Sequence, residues 1–295
     1  MARKRVVLTG AAGTISSQIL PALRGRHDLV LLDRTKQGKA GPIDDIVEVD
    51  LADPDLERCR AHFKGADAIV HNAYAIDPKH PSDLMGQWLP PGLNPALPMS
   101  LDGYPVERLN IDMVYRVLRL AVEERIPRVV IASSNHAADW YETRLHTGGL
   151  HAVGPGTYPL SDNFYGWAKA TYELLGFAFA AGTFGAAVET VYIRIGAPRP
   201  IRLEGDDLLG YKRDLGAYVS PRDLAQLYIR AIETPDIRNA DGVPWQVVYG
   251  ISDNARAFWS LDNARAVLGY APEDDSEVVF ADDIRRLLIE PKRAG

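Results

Sequence analysis

The chain is poor in cysteine and in net positive charge. Its 295 residues include one cysteine, Cys59, which excludes an intramolecular disulfide and any metal site built from several cysteines. Its 33 Lys and Arg residues are outnumbered by 39 Asp and Glu. The resulting formal net charge of −6 argues against a surface that binds nucleic-acid phosphates. We therefore expect neither a metal centre nor a nucleic-acid partner.

Long apolar runs are also missing. No stretch approaches the roughly 20 apolar residues that a membrane span requires. The basic start at Met1–Arg5 is followed by an apolar run that ends at Thr9, which is too short for a signal peptide. We expect a cytoplasmic protein with no membrane partner. What the chain does contain is 46% hydrophobic residues, enough for a sizeable core.

Apolar runs and helical patterns alternate through the first 135 residues. Continuous apolar strands separated by helices are typical of a parallel sheet with both faces covered. The pattern predicts an α/β fold with a Rossmann-type doubly wound parallel sheet. The predicted strands are 5–9, 29–33, 46–49, 68–70 and 128–132, and the predicted helices are 14–25, 53–63 and 105–125.

The second half of the chain alternates less regularly. We predict helices at 163–182, 221–233, 260–268 and near 281–289, strands at 187–193 and 247–249, and irregular structure from 197 to 219. The whole pattern predicts a dinucleotide-binding domain over 1–195. A small C-terminal substrate-binding cap would cover 196–295, with the strand at 247–249 a candidate to return to the sheet.

The segment 78–105 interrupts this alternation of strands and helices. It holds seven of the chain's 20 prolines, which excludes a regular helix or strand there. It leaves the predicted sheet at the carboxyl end of the fourth strand, where ligands bind in this architecture. A surface excursion or subunit contact, a lid over the site, and disorder all fit the composition.

A glycine-containing turn follows the first strand. Gly10 and Gly13 let the backbone turn tightly and approach a pyrophosphate, and the next helix directs free N–H groups at that anion. The third glycine of the pattern is replaced by Ser16. Asp33 ends the second strand, where a carboxylate accepts hydrogen bonds from the adenosine ribose and repels a 2′-phosphate. This favours NAD over NADP, although Arg34 beside it is able to meet a phosphate.

Tyr165 and Lys169 lie four residues apart, on one face of a predicted helix. A phenol has a pKa of about 10, and a neighbouring ammonium group together with a positive nicotinamide ring would lower that pKa. Tyr165 is then able to exchange a proton with a substrate hydroxyl. Ser133 and Ser134 close the fifth predicted strand, so a hydroxyl there is expected to bond the same substrate oxygen.

Together, these motifs resemble the extended short-chain dehydrogenases/reductases over essentially the whole chain except 78–105. The resemblance implies that Ser134 (rather than Ser133), Tyr165 and Lys169 are catalytic. It also implies that Asn110 helps to hold a water in a proton relay. The residues expected to bind NAD are Gly10, Ala12, Gly13, Thr14, Ile15, Asp33, Arg34, Asp50, Leu51, Asn72, Ala73, Tyr74, Asn110, Tyr165, Lys169 and Ile195.

A closer resemblance is to the uronate dehydrogenases and related NAD-dependent sugar dehydrogenases. It rests on Ala132-Ser133-Ser134-Asn135-His136, on Arg194-Ile195-Gly196 and on the tail at 248–254. Those enzymes oxidise the anomeric hydroxyl of a free sugar acid to a lactone, and an arginine after the Ile-Gly pair binds the substrate carboxylate. The implied substrate contacts are Ser134, Asn135, His136, Tyr165, Arg199 and Arg202.

Three functions follow as hypotheses. The first is an NAD-dependent oxidoreductase that takes hydride from a hydroxyl of a small sugar, sugar acid or polyol. The second is a nucleotide-sugar epimerase with tightly bound NAD. The third is a non-catalytic protein that senses NAD(H). By analogy with relatives, the helices at 105–125 and 163–182 would form the interface of a homodimer.

Overall fold

The computed structural model describes residues 3–76, 100–142, 144 and 150–290. Its strands are β1 (Arg5–Thr9), β2 (Asp28–Asp33), β3 (Gln37–Gly38), β4 (Gly41–Pro42), β5 (Ile46–Glu48), β6 (Ala68–His71), β7 (Arg128–Ser134), β8 (Glu189–Ile195) and β9 (Trp245–Gly250). Seven of them form one sheet in the order β5-β2-β1-β6-β7-β8-β9, and every neighbouring pair is parallel. This confirms the predicted doubly wound fold.

Helices follow most strands. They are α1 (Thr14–Arg26), α2 (Glu57–Phe63), α3 (Tyr104–Glu123), α4 (Phe164–Ala180), α5 (Leu208–Ala217), α6 (Pro221–Glu233), α7 (Asp262–Leu268), α8 (Ser276–Val279) and α9 (Ala281–Ile284). A π-helical turn at Arg285–Ile289 follows α9, so the helix predicted near 281–289 is divided.

The strands are apolar on both faces because helices cover both faces. In β1, Val6 and Leu8 belong to one hydrophobic cluster and Val7 to the other, and all three side chains are fully buried. Side chains of α1 and α6 complete the first cluster, while those of α2, α3 and α4 complete the second. The helices therefore shield the sheet and leave its ends open.

The helix predicted at 53–63 begins four residues later, at Glu57. The carboxylate of Asp53 accepts a hydrogen bond from the Asp55 amide, and the carboxylate of Asp55 accepts one from the Glu57 amide. Such local bonds hold the backbone in turns and compete with the helix.

Helix α5 lies in the stretch 197–219, so the prediction of irregular structure is wrong there. The Asp207 carboxylate accepts a hydrogen bond from the Gly210 amide at 2.9 Å and caps the helix. Tyr211 and Leu215 lie one turn apart and are buried. Gly210 and Gly216 lower the intrinsic helix propensity of the segment and obscured this apolar spacing.

The proline-rich segment 78–105 lies outside the described residues from 78 to 99. Its last residues form a 3₁₀ turn at Leu101–Gly103 and the start of α3, with Pro105 in the first turn. Proline is tolerated there because the first N–H groups of a helix have no partner within the helix. The exclusion of a helix is therefore wrong at this end of the segment.

The residues after Gly196 contribute to the same sheet. Strand β9 pairs with β8 from Thr190 opposite Trp245 to Ile195 opposite Gly250. The division into two domains at 195 stays a prediction. Within the described part of the chain, no helix is both long enough and apolar enough to span a bilayer.

Candidate active site

A cavity of about 770 Å³ opens at the carboxyl ends of the parallel strands. The segments that follow β1, β2, β5, β6, β7 and β8 all contribute to its wall, as expected for the ligand crevice of an open parallel sheet. The cavity brings together these sequence-predicted residues: Gly10, Ala12, Gly13, Thr14, Ile15, Asp33, Arg34, Asp50, Leu51, Asn72, Ala73, Tyr74, Ser134, His136, Tyr165, Lys169, Ile195 and Arg199.

The turn after β1 requires glycine at position 10. Gly10 has a φ of +68°, and a Cβ there would lie 2.5 Å from the backbone nitrogen of Ala73. The turn therefore needs both a left-handed conformation and a close approach to the segment after β6. Gly13 precedes α1, and no side chain in the described part of the chain caps the helix. The free N–H groups of the first turn of α1 border the cavity, where they are able to bind an anion.

Asp33 is held at the end of β2 by backbone groups. Its carboxylate accepts hydrogen bonds from the Ala12 amide at 3.0 Å and the Thr35 amide at 3.3 Å. This fixes the carboxylate beside the glycine turn, while the Arg34 side chain is exposed. The Asp50 carboxylate, after β5, bonds the Ala52 amide at 2.9 Å and is held against the same end of the cavity.

The segment after β6 is fixed by Asn72. Its amide nitrogen donates to Ser16 Oγ at 3.1 Å, and its amide oxygen accepts from the Tyr228 hydroxyl at 2.8 Å. Ser16 is fully buried, so the serine in place of the third glycine gives α1 a polar link to this segment. Tyr228 on α6 is a supporting residue that the sequence analysis missed, because it is 156 residues from Asn72.

Asn110 on α3 holds the backbone beyond this segment. Its side chain bonds both the amide of Ala75, at 2.7 Å, and the carbonyl of Ala75, at 3.0 Å. One turn earlier, the buried carboxylate of Glu107 accepts a hydrogen bond from the Tyr74 hydroxyl. Asn110 thus contacts the cavity through the loop that it holds, and Glu107 places a negative charge close to the cavity wall.

Ser134, Tyr165 and Lys169 converge on one side of the cavity. Ser134 closes β7, and its hydroxyl is close enough to Tyr165 to lower the pKa of that phenol. The ammonium of Lys169 donates to the carbonyl of Ala132 at 3.0 Å and lies 5.4 Å from the centre of the Tyr165 ring. The hydroxyl of Ser133 instead donates to Glu173 Oε1 at 2.5 Å, in a buried position. This geometry favours Ser134 over Ser133 as the hydroxyl that meets a ligand.

The electrostatics of this group differ from the expected direction. Burial raises the pKa of Tyr165 to about 12, although the Ser134 hydroxyl acts in the opposite sense. The carboxylates of Glu107 and Asp139 raise that pKa further. Burial also lowers the pKa of Lys169 to about 8, against the carboxylates of Glu107 and Glu173, which raise it. The protein alone therefore does not lower the pKa of Tyr165.

His136 follows Ser134 and faces the same cavity. Its Nδ1 lies 3.1 Å from Asp139 Oδ2, and its ring packs edge-on against Tyr165 at a centroid distance of 5.6 Å. Asp139 is buried, and its Oδ2 also accepts a hydrogen bond from Asn163 at 2.9 Å. The sequence analysis missed Asp139, although its spacing three residues after His136 was a usable signal.

Three sequence-predicted residues do not line the cavity. Asn110 and Asn135 are almost completely buried behind the wall of the cavity. Their positions therefore do not support direct contact with a ligand. Arg202 is exposed and lies outside the described lining, and its substrate contact stays a prediction. Arg199 lines the cavity, but its guanidinium is 2.5 Å from Asp214 Oδ2. The lining also includes the hairpin residues Gln37 and Gly38, which sequence reasoning missed.

Comparison with known proteins extends over nearly the whole chain, although no family model matches it. The NAD-dependent glucose-6-phosphate dehydrogenase of Haloferax volcanii is 32% identical over 280 residues, covering 92% of this chain and 94% of the relative. The uronate dehydrogenase of Pseudomonas putida is 31% identical over 285 residues, covering 94% and 87%.

A solved structure shows the same similarity in three dimensions. The crystal structure of uronate dehydrogenase from Agrobacterium tumefaciens matches with a TM-score of 0.69 at 27% identity, covering 97% of this chain and 90% of that one. The chain therefore belongs to the family of NAD-dependent sugar and uronate dehydrogenases and is an NAD-dependent oxidoreductase.

Proposed function

We propose that the protein oxidises the anomeric hydroxyl of a free sugar to a lactone, with Tyr165 as the base. The observation that carries this proposal is the convergence of Ser134, Tyr165 and Lys169 on a cavity that the glycine turn after β1 also lines. The substrate and the cofactor would meet between these two features.

The residues of the cavity fit NAD. The close approach at Gly10 and the free N–H groups of α1 suit a pyrophosphate, and the Asp33 carboxylate suits the two ribose hydroxyls of adenosine. We assign Lys169 to the nicotinamide ribose, because its ammonium group lies in the cavity beside Tyr165. When bound, NAD supplies the hydride acceptor and a positive ring close to the phenol.

The protein groups divide the proton chemistry among them. Ser134 holds the reacting oxygen by a hydrogen bond, and Tyr165 takes the proton of the anomeric hydroxyl as the C1–H bond breaks. Because burial raises the pKa of Tyr165, the phenolate needs positive charge nearby. Lys169 supplies one such charge from the protein side, and its burial keeps water from screening it.

The alternatives are less well supported. The relatives reported above are dehydrogenases, which favours net oxidation over the reaction of a nucleotide-sugar epimerase. A protein that only senses NAD(H) has no use for the Tyr165–Lys169 pair. Assay of NADH formation with NAD and a panel of free aldoses tests the choice. We expect that at least one sugar in the panel gives many molecules of NADH for each molecule of enzyme. NAD that co-purifies tightly and no NADH from any sugar would support the epimerase.

Asp33 is the residue that we expect to select NAD. Asp33→Asn keeps an oxygen for the Ala12 amide but removes the charge that repels a 2′-phosphate. We expect the ratio of kcat/KM for NADP to kcat/KM for NAD to rise about tenfold or more, equivalent to ~1.4 kcal/mol. Asp28→Asn, at the opposite end of β2, is the matched control. An unchanged ratio in Asp33→Asn would show that another group selects the cofactor.

We also propose a homodimer through the outer faces of α3 and α4. These faces expose the large apolar side chains Tyr104, Tyr115, Trp167 and Leu174, more than a solvent-facing pair of helices requires. Sedimentation equilibrium should give twice the mass of the chain, and a monomer would contradict the proposal. Action in the cytoplasm and the lack of a nucleic-acid partner stay predictions from the sequence.

A further inference from the structure

The tautomer of His136 is set by Asp139. A carboxylate only accepts hydrogen bonds, so the 3.1 Å contact between His136 Nδ1 and Asp139 Oδ2 places the ring proton on Nδ1. In the neutral ring, Nε2 then carries the lone pair. His136 lines the cavity, and we infer that Nε2, the ring nitrogen that Asp139 does not contact, accepts hydrogen bonds there.

Asp139 is itself held firmly. Asn163 donates to Asp139 Oδ2 at 2.9 Å, and the side-chain oxygen of Asn163 caps α4 by accepting from the Gly166 amide at 2.9 Å. The position of His136 is thereby tied to the start of the helix that carries Tyr165. The second carboxylate oxygen, Oδ1, is buried and has no hydrogen-bond partner among the residues that the structure describes.

Arg199 in the cavity wall and its neighbour Arg213 are already paired with carboxylates. Arg199, which lines the cavity, contacts Asp214 at 2.5 Å, and Asp214 also accepts from Arg213 at 2.8 Å. Arg213 is buried and makes two further bonds of 2.9 Å to the buried carboxylate of Glu142. A substrate anion would therefore meet guanidinium groups whose positive charge is already balanced by neighbouring carboxylates.

The reacting end of the cavity is also bordered by negative charge. Glu107 lies behind Tyr74, and Asp139 lies behind His136. Both carboxylates act on Tyr165 in the same direction, since each raises its pKa. Among the described residues that line this end, Lys169 is the cation without a carboxylate bonded to it, and the proposed reaction already uses it.

We propose that the enzyme selects uncharged aldoses over sugar acids and sugar phosphates, with Asp139 as the residue that determines this specificity. A sugar hydroxyl donates to His136 Nε2, whereas a carboxylate or phosphate there would face a lone pair with a buried negative charge behind it. This inference rests on the proposed sugar oxidation and adds the charge of the substrate to it. The relatives reported above are named for a sugar acid and a sugar phosphate, so the inference separates this chain from them.

The wild-type protein provides the first test. We would measure kcat/KM with NAD for matched sets: glucose, glucuronate and glucose 6-phosphate, and galactose, galacturonate and galactose 6-phosphate, with arabinose and xylose alongside. We expect a neutral sugar to exceed every charged compound at least tenfold. A charged compound that is preferred would overturn the selectivity and leave the proposed oxidation standing. No NADH from any compound would overturn the proposed oxidation and the selectivity with it.

Asp139→Asn provides the second test. The amide oxygen can take the place of Oδ2 and accept from both Asn163 and His136 Nδ1, so the tautomer of His136 is kept while the buried negative charge behind it is removed. We expect the ratio of kcat/KM for the neutral sugar to that for its uronic acid to fall about tenfold, chiefly through KM. Asp236→Asn makes the same change in charge at an exposed site and should leave the ratio unchanged. A ratio in Asp139→Asn equal to that of the wild type would contradict the role of Asp139.

Discussion

We expect Tyr165→Phe to lower kcat for sugar oxidation by about 100- to 10,000-fold, the range for loss of a general base. The substitution removes one hydroxyl and keeps the ring, whose edges pack against Tyr74 and His136 at centroid distances of 5.6 Å. The cavity should therefore keep its shape. The dissociation constant for NAD, measured by quenching of protein fluorescence, should change by no more than about threefold, which corresponds to less than 1 kcal/mol.

The same substitution at Tyr158 is the control, because that side chain is 69% exposed. Tyr158→Phe should retain wild-type kcat. If Tyr165→Phe retained more than about a tenth of the wild-type kcat, a different group would have to take the proton. If it lost NAD affinity in parallel with kcat, the role of Tyr165 would be structural.

Arg194→Met should lower the free energy of unfolding by about 3–5 kcal/mol, the cost of leaving one partner of a buried ion pair without the other. Arg194 on β8 makes hydrogen bonds of 2.9 and 2.7 Å to Glu173 on α4. Both side chains are about 98–99% buried, with exposed fractions of 1% and 2%. Methionine fills most of the volume of the arginine side chain. The carboxylate of Glu173 then keeps its hydrogen bond from Ser133 but loses its cationic partner.

Urea unfolding of the single and double variants separates charge from packing. In Glu173→Gln with Arg194→Met, the stranded charge is gone, so this double variant should be more stable than Arg194→Met by at least about 1 kcal/mol. The exposed Arg238→Met, whose partner Asp236 is also exposed, should cost less than about 1 kcal/mol. Additive losses in the double variant would mean that the pair contributes through packing alone.

The part of the site that the sequence predicted lies directly after strands. Gly10, Asp33 and Ser134 each follow or close an apolar run, and parallel strands bring their carboxyl ends to one edge. Tyr165 and Lys169 were predicted from their spacing on one helix, which the structure places at the same edge. In these cases, local pattern and topology are enough to place the residue.

The supporting groups could not be predicted because they meet across long distances in the sequence. Tyr228 on α6 donates a hydrogen bond to Asn72. Glu173 on α4 accepts a hydrogen bond from Arg194 on β8, which is 21 residues away in the sequence. Nor does a sequence show that the charge of Arg199 is already paired with Asp214. The substrate-binding role assigned to Arg202 stays a prediction for the same reason: the position of a loop side chain depends on tertiary contacts.

Following the hydrogen at C1 is the decisive measurement for oxidation of the anomeric carbon. The sugar with the highest kcat/KM would be prepared with deuterium at C1 and oxidised with NAD, and the nicotinamide product would be examined by mass spectrometry and NMR. We predict one deuterium in each NADH formed, together with the lactone or its hydrolysis product. Unlabelled NADH would place the oxidation at another carbon. Deuterium retained in an isomerised sugar without net NADH would contradict a dehydrogenase altogether.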